Sequence, residues 1–241
     1  CPHYKNNTTY VHTQSSLCSK RTSLVTHHIP IHGPDDMAGR SAVDLFSEWA
    51  KIDRDEGMEK GHSSSVNHII SAVMNRLPTE FTAIDIGCGN GWAVRRVKSM
   101  PNCIFASGVD GSEIMINKAR KIDPEGEYEY AMLPEWTPDN SVDLVLSMEF
   151  LYYLEDPISF FRTLHRAWIS PGGSVALGVD HYLENESSLG WSESLDVHMT
   201  TLSAKEWKEG LEMAGFQNVE SFFTGAKDGW NGTLVLIGTK V

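Results

Sequence analysis

Phe81-Thr82-Ala83-Ile84-Asp85-Ile86 is a short, mostly apolar run, and Gly87-Cys88-Gly89-Asn90-Gly91-Trp92 follows it with glycine at every second position. A run of this length stopped by glycine reads as a buried strand. The residues from Trp92 to Ser99 then take up helical spacing, so the unit is strand, glycine turn and helix. In an open parallel sheet, ligands bind beyond the carboxyl ends of the strands, which makes this exit loop the first place to look for a site. Glycines let the backbone pass close beneath a ligand, and the helix that follows offers free N–H groups and a partial positive charge. The dinucleotide fingerprint requires G-x-G-x-x-G. Here the third glycine arrives one position early and Trp92 stands in its place, so a pyrophosphate ligand is disfavoured, and Asp85 at the strand end disfavours it further.

Working outward, strand and helix alternate. Upstream, Ala42, Leu45, Phe46, Trp49 and Ala50 recur at helical spacing, residues 54–65 read as a charged, glycine-punctuated loop, and Val66, Ile69, Ile70 and Val73 mark a second helix ending near Arg76. Downstream come strand 104–109, helix 112–121, a short strand 128–131 before a proline-rich loop, and an apolar strand 142–148 followed by helix through Trp168. Gly172-Gly173 reads as a turn, 174–179 as another buried strand, and 180–201 as a long aperiodic loop, a feature that is usually functional. Ser203 with Glu206 forms a capping box for a helix that Gly215 ends, and strands 219–223 and 233–239 are joined by a glycine-rich turn. This order predicts an α/β fold in one domain over 41–241: a seven-stranded, mostly parallel sheet with helices on both faces and an antiparallel C-terminal hairpin.

Composition bounds the partners. The 241 residues carry a net charge of −12 with 41% hydrophobic residues, and no run is long and apolar enough for a membrane helix. An acidic chain without a lysine/arginine cluster is a poor match for nucleic acid. Residues 1–34 hold no Asp or Glu and only Lys5, Lys20 and Arg21, so the rest carries −15. Residues 1–40 therefore read as an extension, a transit segment or a bland arm. Cys1, Cys18, Cys88 and Cys103 have no paired spacing and read as free thiols of a reducing compartment. That favours the cytoplasm, or a plastid or mitochondrion if the arm is a transit peptide. His27, His28 and His32 near Cys18 lack a second ligand pair, and no metal is assigned.

Nineteen residues beyond Gly91, Asp110 ends the second strand, where a carboxylate can accept from both hydroxyls of a ribose. Asp85-x-Gly87-x-Gly89-x-Gly91, Val109-Asp110, Leu133-Pro134 and Val142-Asp143-Leu144-Val145 together resemble the successive motifs of class I S-adenosylmethionine-dependent methyltransferases, in their small-molecule "methyltransferase domain" branch. The resemblance spans about residues 44–240. It implies a Rossmann-like fold and S-adenosyl-L-methionine as cofactor. The implied cofactor contacts are Gly87, Cys88, Gly89 and Gly91 beside the methionine part, Asp85 near its amino group, Asp110 and Gly111 at the ribose, Ala131 and Met132 at the adenine edge, and Met148. Glu129-Tyr130 departs from the Asp-Ala pair common in the family.

Methyl transfer is an in-line displacement, so the enzyme chiefly holds the acceptor in line and excludes water; orientation can supply about 7–11 kcal/mol of the barrier. A base is needed only when the acceptor carries a proton. The resemblance puts the acceptor over the exits of the fourth and fifth strands, which bear Glu149, Tyr152 and Tyr153, and Asp180-His181-Tyr182. His181, which titrates near neutrality, and Glu149 are the expected catalytic groups, with Tyr152 and Tyr153 as acceptor contacts. The N-terminal helix and the Glu56–His62 segment are expected to form a lid bringing Trp49, Met58 and His62 to the site. The Asn/Asp-Pro-Pro-Tyr signature of methyltransferases acting on adenine or glutamine is absent. The acceptor is thus read as a small-molecule amine, hydroxyl, thiol or carboxylate. A non-catalytic cofactor-binding regulatory module and, less favoured by the glycine spacing, a NAD-dependent oxidoreductase are the alternatives. Oligomeric state is not legible.

Overall fold

The computed structural model describes residues 39–241. The expected extension, with Cys1, Cys18, His27, His28 and His32, falls almost wholly outside the described residues. The helices are α1 (Ala42–Lys51), α2 (Glu56–Val73), α3 (Trp92–Lys98), α4 (Glu113–Ile122), α5 (Pro157–Thr163), α6 (Trp191–Leu195) and α7 (Ala204–Met213). The strands are β1 (Phe81–Ile86), β2 (Cys103–Asp110), β3 (Glu127–Tyr130), β4 (Val142–Met148), β5 (Ile169–Val179), β6 (Gln217–Thr224) and β7 (Thr233–Thr239). They form one seven-stranded sheet in the order β3-β2-β1-β4-β5-β7-β6. The first five strands pair in parallel, and β7 runs antiparallel to both β5 and β6. The expected α/β architecture with its C-terminal hairpin is therefore the observed one. The chain order reverses beside β1, so its exit loop and that of β4 open at the switch point where such sheets bind ligands.

The period-2 alternation of the strands feeds two cores. Ile84, Val145, Leu177, Leu234 and Leu236 pack with Phe160, Phe161, Trp168, Trp207 and Leu211 on one face. Their neighbours Ala83, Leu144, Leu146, Val235 and Ile237 pack on the other against Val66, Ile69 and Val73 of α2, Val94 of α3 and Ile116 of α4. Strands buried on both faces are why these segments read as unbroken apolar runs. Among the described residues no helix is long and apolar enough to cross a membrane.

Four local expectations are corrected. Residues 56–65 are the first half of α2 rather than a loop. Gly57 and Gly61 lower intrinsic helicity, but Glu56 and Glu59 suit the positive helix start, and the segment docks Met58 and His62 onto the rest of the domain. Gly172-Gly173 lies within β5, where a register shift against β4 absorbs it. The single helix expected after β4 is broken into a 3-10 turn at Leu151–Tyr153, α5 with Pro157 in its first turn, and a π turn at Leu164–Trp168. The segment 180–201, read as an aperiodic loop, carries a 3-10 turn at Glu186–Ser188 and the short helix α6, whereas Ser203 and Glu206 make both bonds of the capping box as read, and Gly215 takes a φ of +104° after α7.

Candidate active site

The β1 exit loop is pinned across the sheet to the end of β2. Gly87 N and Cys88 N both donate to Val109 O, and Gly89 N donates to Asp110 Oδ2 at 2.9 Å. The other carboxylate oxygen, Asp110 Oδ1, accepts from Ser112 N at 2.7 Å, just before α4. Gly87, Gly89 and Gly91 all have positive φ, a region that side chains rarely adopt. At Gly87 a Cβ would also sit 2.6 Å from Phe150 Cβ, whereas at Gly89 the nearest atom would be Met115 Sδ at 4.0 Å, so a side chain there would enter open space.

That space is part of a cleft at the carboxyl ends of β1, β2 and β4. Asp85, Gly87, Cys88, Gly89, Asp110, Gly111 and Met148 line its floor, together with Asn90, Met115, Glu149 and Phe150. Ala42, Val43 and Phe46 of α1 and Met58 and His62 of α2 line its other side. Asp55, immediately before α2, closes the seam: its carboxylate accepts from Asn90 Nδ2 and from Lys118 Nζ, each at 2.8 Å. Four carboxylates line the cleft, and no lysine or arginine among the described residues does. Burial, together with the Asp110 charge, holds the Asp85 carboxyl well above the usual range. Burial raises Asp110 as well, partly offset by the Ser112 and Gly89 N–H groups. Burial likewise raises the Cys88 thiol, so it is not a thiolate.

A second cluster stands at the lid end of the cleft. Glu149 has φ +60°, an unusual backbone for a residue with a side chain, and its carboxylate is fixed by two donors. Asp180 N donates to Oε1 at 2.6 Å and the Tyr152 hydroxyl to Oε2 at 2.8 Å. His62 approaches from α2, with Nε2 3.6 Å from Asp180 Oδ2 and Nδ1 2.9 Å from Met58 O. Ligand atoms of His62, Glu149 and Asp180 lie within 4.8 Å of one another. Burial, reinforced by the Asp180 charge, pushes Glu149 up to about 8 against the opposing pull of His62 and its two hydrogen-bond donors. Burial opposes the charge on His62, but Asp180, Glu149 and the Met58 carbonyl outweigh it and raise it to about 9.

The last shift has a stability consequence. A histidine raised from 6.5 to about 9 contributes stability that is complete below pH 6.5 and lost as pH climbs through 9. The denaturation midpoint should fall across that window, and the fall should flatten in His62→Asn; an unchanged slope would remove the His62–Asp180 pairing from the account.

His181 is placed differently from the expectation. It is 1% exposed and absent from the cleft wall, with Nδ1 against Ser188 O and Nε2 against Thr201 Oγ1. Burial lowers its basicity. His62 takes the place expected of it, facing Asp180 and Glu149. Tyr153 lines the cleft while Tyr152 lies behind it, bonded to Glu149. Trp49 packs against the core, edge-on to Phe46 and beneath Arg54, outside the lining. Ala131 N donates to Asp110 O, and Met132, 51% exposed, flanks Gly111 from outside the lining. Asp55, Asn90, Phe46 and Phe150 are site residues that the sequence reading passed over.

The sequence profile described as "Methyltransferase domain" matches residues 53–221, which contain both clusters. The chain belongs to the methyltransferase-domain family. S-adenosylmethionine is the cofactor of this class I family. Trans-aconitate 2-methyltransferase of Acidovorax sp. (strain JS42) is 26% identical over 170 residues, covering 68% of this chain and 62% of that protein. The protein of the same name from Rhizobium etli is 29% identical over 133 residues, covering 55% and 49%. The chain thus spans only about half the length of the curated relatives it matches. Among solved structures, a methyltransferase in complex with the Haloferax volcanii Trm112 methyltransferase activator superposes with a TM-score of 0.70 at 29% identity, covering 83% of this chain and 97% of that one. A Mesorhizobium loti S-adenosylmethionine-dependent methyltransferase, at 23% identity and a TM-score of 0.57, shares the fold.

The cleft fits that cofactor. S-adenosylmethionine bears a sulfonium and an ammonium against one carboxylate, a net cation suited to a wall with four carboxyl groups and, among the described residues, no lysine or arginine. The open space above Gly89 allows the close backbone approach that an α-amino acid moiety requires.

Proposed function

We propose that the chain catalyses methyl transfer from S-adenosylmethionine to a small-molecule acceptor. The observation that carries this reading is one cleft joining the glycine loop and Asp110 at its floor to the Glu149 cluster beneath the lid. When bound, the cofactor supplies an electrophilic methyl group. Asp110 accepts hydrogen bonds from the ribose hydroxyls, and Asp85 faces the methionine ammonium from the end of β1. Gly87, Cys88 and Gly89 present backbone to the methionine part with Met148 beside it and Gly111 next to the ribose, while Gly91, outside the lining, abuts the Tyr128 ring and turns the chain into α3. Phe46, Met58 and Tyr153 exclude water from the acceptor end, where orientation does most of the work. Glu149, flanked by His62 and Asp180, is the group able to take a proton from the acceptor.

The test is incubation of the protein with methyl-labelled cofactor and a mixture of small amines, alcohols, thiols and carboxylates. Label in a small-molecule product is the expected result. Cofactor binding without transfer to any acceptor would favour a regulatory module instead.

A further inference from the structure

Resting on that reading, we propose that the acceptor is an amine that arrives protonated, is bound by Glu149 beside the His62–Asp180 pair, and gives its proton to the Glu149 carboxylate. Four observations converge on it. First, the acceptor end is acidic and aromatic: Glu149, Tyr153, Phe46 and Phe150 line it, and Phe46 and Tyr153 meet edge to face at 5.4 Å. Carboxylate and ring faces together recognise an organic ammonium. Second, Glu149 is held at φ +60° with one donor on each carboxylate oxygen, which fixes the group while leaving each oxygen a further lone pair. Third, Asp180 is 4% exposed and its Oδ1 is buried without a partner, an uncompensated acceptor beside this cluster. Fourth, no lysine or arginine among the described residues lines the cleft, and the His62 charge is taken up by Asp180, so the tricarboxylate named for the relatives would meet repulsion.

The chemistry balances without a further reactant. Glu149 takes one proton from the ammonium, becoming a neutral carboxylic acid and leaving a free amine lone pair. That lone pair forms the nitrogen–carbon bond as the carbon–sulfur bond breaks and its electron pair returns to sulfur. The product is a methylammonium ion, and Glu149 returns its proton to solvent on release. A carboxyl group whose ordinary range has been raised toward neutrality suits such an exchange, because its basicity approaches that of its task. The groups facing Glu149 are His62 from α2, Asp180 beyond β5, and Tyr152 and Tyr153 after β4. His62 is accordingly a positioning residue that tunes Glu149.

The experiment combines binding and turnover on the full chain. Tyramine, spermidine, catechol and trans-aconitate are each titrated into protein saturated with S-adenosylhomocysteine, then assayed as acceptors with and without EDTA. The amines should bind and accept methyl, trans-aconitate should do neither, and EDTA should change nothing. Glu149→Gln should weaken amine binding about tenfold or more, keep cofactor affinity within about threefold, and lack the rise of kcat/KM toward pH 8 expected of the wild type. Preference for trans-aconitate or catechol, or binding of none of the four with cofactor affinity intact, overturns the amine and leaves the methyltransferase reading standing. Turnover abolished by EDTA and restored by Mn²⁺ in the wild type alone would instead assign the cluster to a metal ion. Failure to bind S-adenosylhomocysteine itself would be failure of the function proposed above.

Discussion

Asp110→Ala should weaken S-adenosylmethionine binding by about tenfold or more in a calorimetric titration. Each hydrogen bond between a ribose hydroxyl and a carboxylate is worth about 1.5–3 kcal/mol, and tenfold corresponds to about 1.4 kcal/mol. The carboxylate also organises the site before any ligand arrives. Its two oxygens hold Gly89 N and Ser112 N, tying the glycine loop to the start of α4. Removing it frees both donors, so the loss comprises direct contacts and the ordering of the loop. The Asp85 carboxyl should meanwhile move back toward its usual range, since the Asp110 charge is one of the two causes of its elevation. Unchanged affinity would detach Asp110 from the ribose.

Gly87→Ala should be among the most destabilising single-methyl changes in the domain, by about 2–5 kcal/mol in a denaturant titration. Two costs add. A side chain at φ +72° takes the left-handed region, about 1–2 kcal/mol, and its Cβ would fall 2.7 Å from Phe150 Cγ, forcing a packed ring to move for about 1–3 kcal/mol more. Phe150 has little freedom to yield, because it packs edge-on against the buried Phe160. Gly89→Ala is the informative contrast. Its φ of +53° carries the backbone cost, but its Cβ meets nothing closer than Met115 Sδ at 4.0 Å and projects into the cleft. It should lose less stability and more cofactor affinity than its size suggests. Equal stability losses at the two positions would contradict the packing described for the loop.

The sheet was legible because its strands are buried on both sides. Phe81–Ile86, Val142–Met148 and Thr233–Thr239 stand out as apolar runs, and Ser203 and Gly215 mark the ends of α7. The glycine loop and Asp110 were legible from their spacing alone. The lid was harder. Gly57 and Gly61 within a charged segment imitate a loop, and only docking over the cleft makes residues 56–65 helical.

The exchange of His181 for His62 has a related cause. Side chains alternate along β5 and its exit, so Asp180 shares the face of Gly178, which abuts Ile69 of α2, while His181 shares that of Val179 in the opposite core. A histidine beside strand residues looked catalytic by position. Which face borders the cleft depended on where α2 begins, and that is a tertiary fact rather than a local one.

The most direct test of the central claim is calorimetric titration of the purified chain with S-adenosylmethionine, S-adenosylhomocysteine and NAD in parallel. Early placement of Gly91, the acid at the end of β1 and a cleft lined, among the described residues, by no lysine or arginine predict that the first two bind and NAD does not. Binding of NAD without either of the other two would contradict the account.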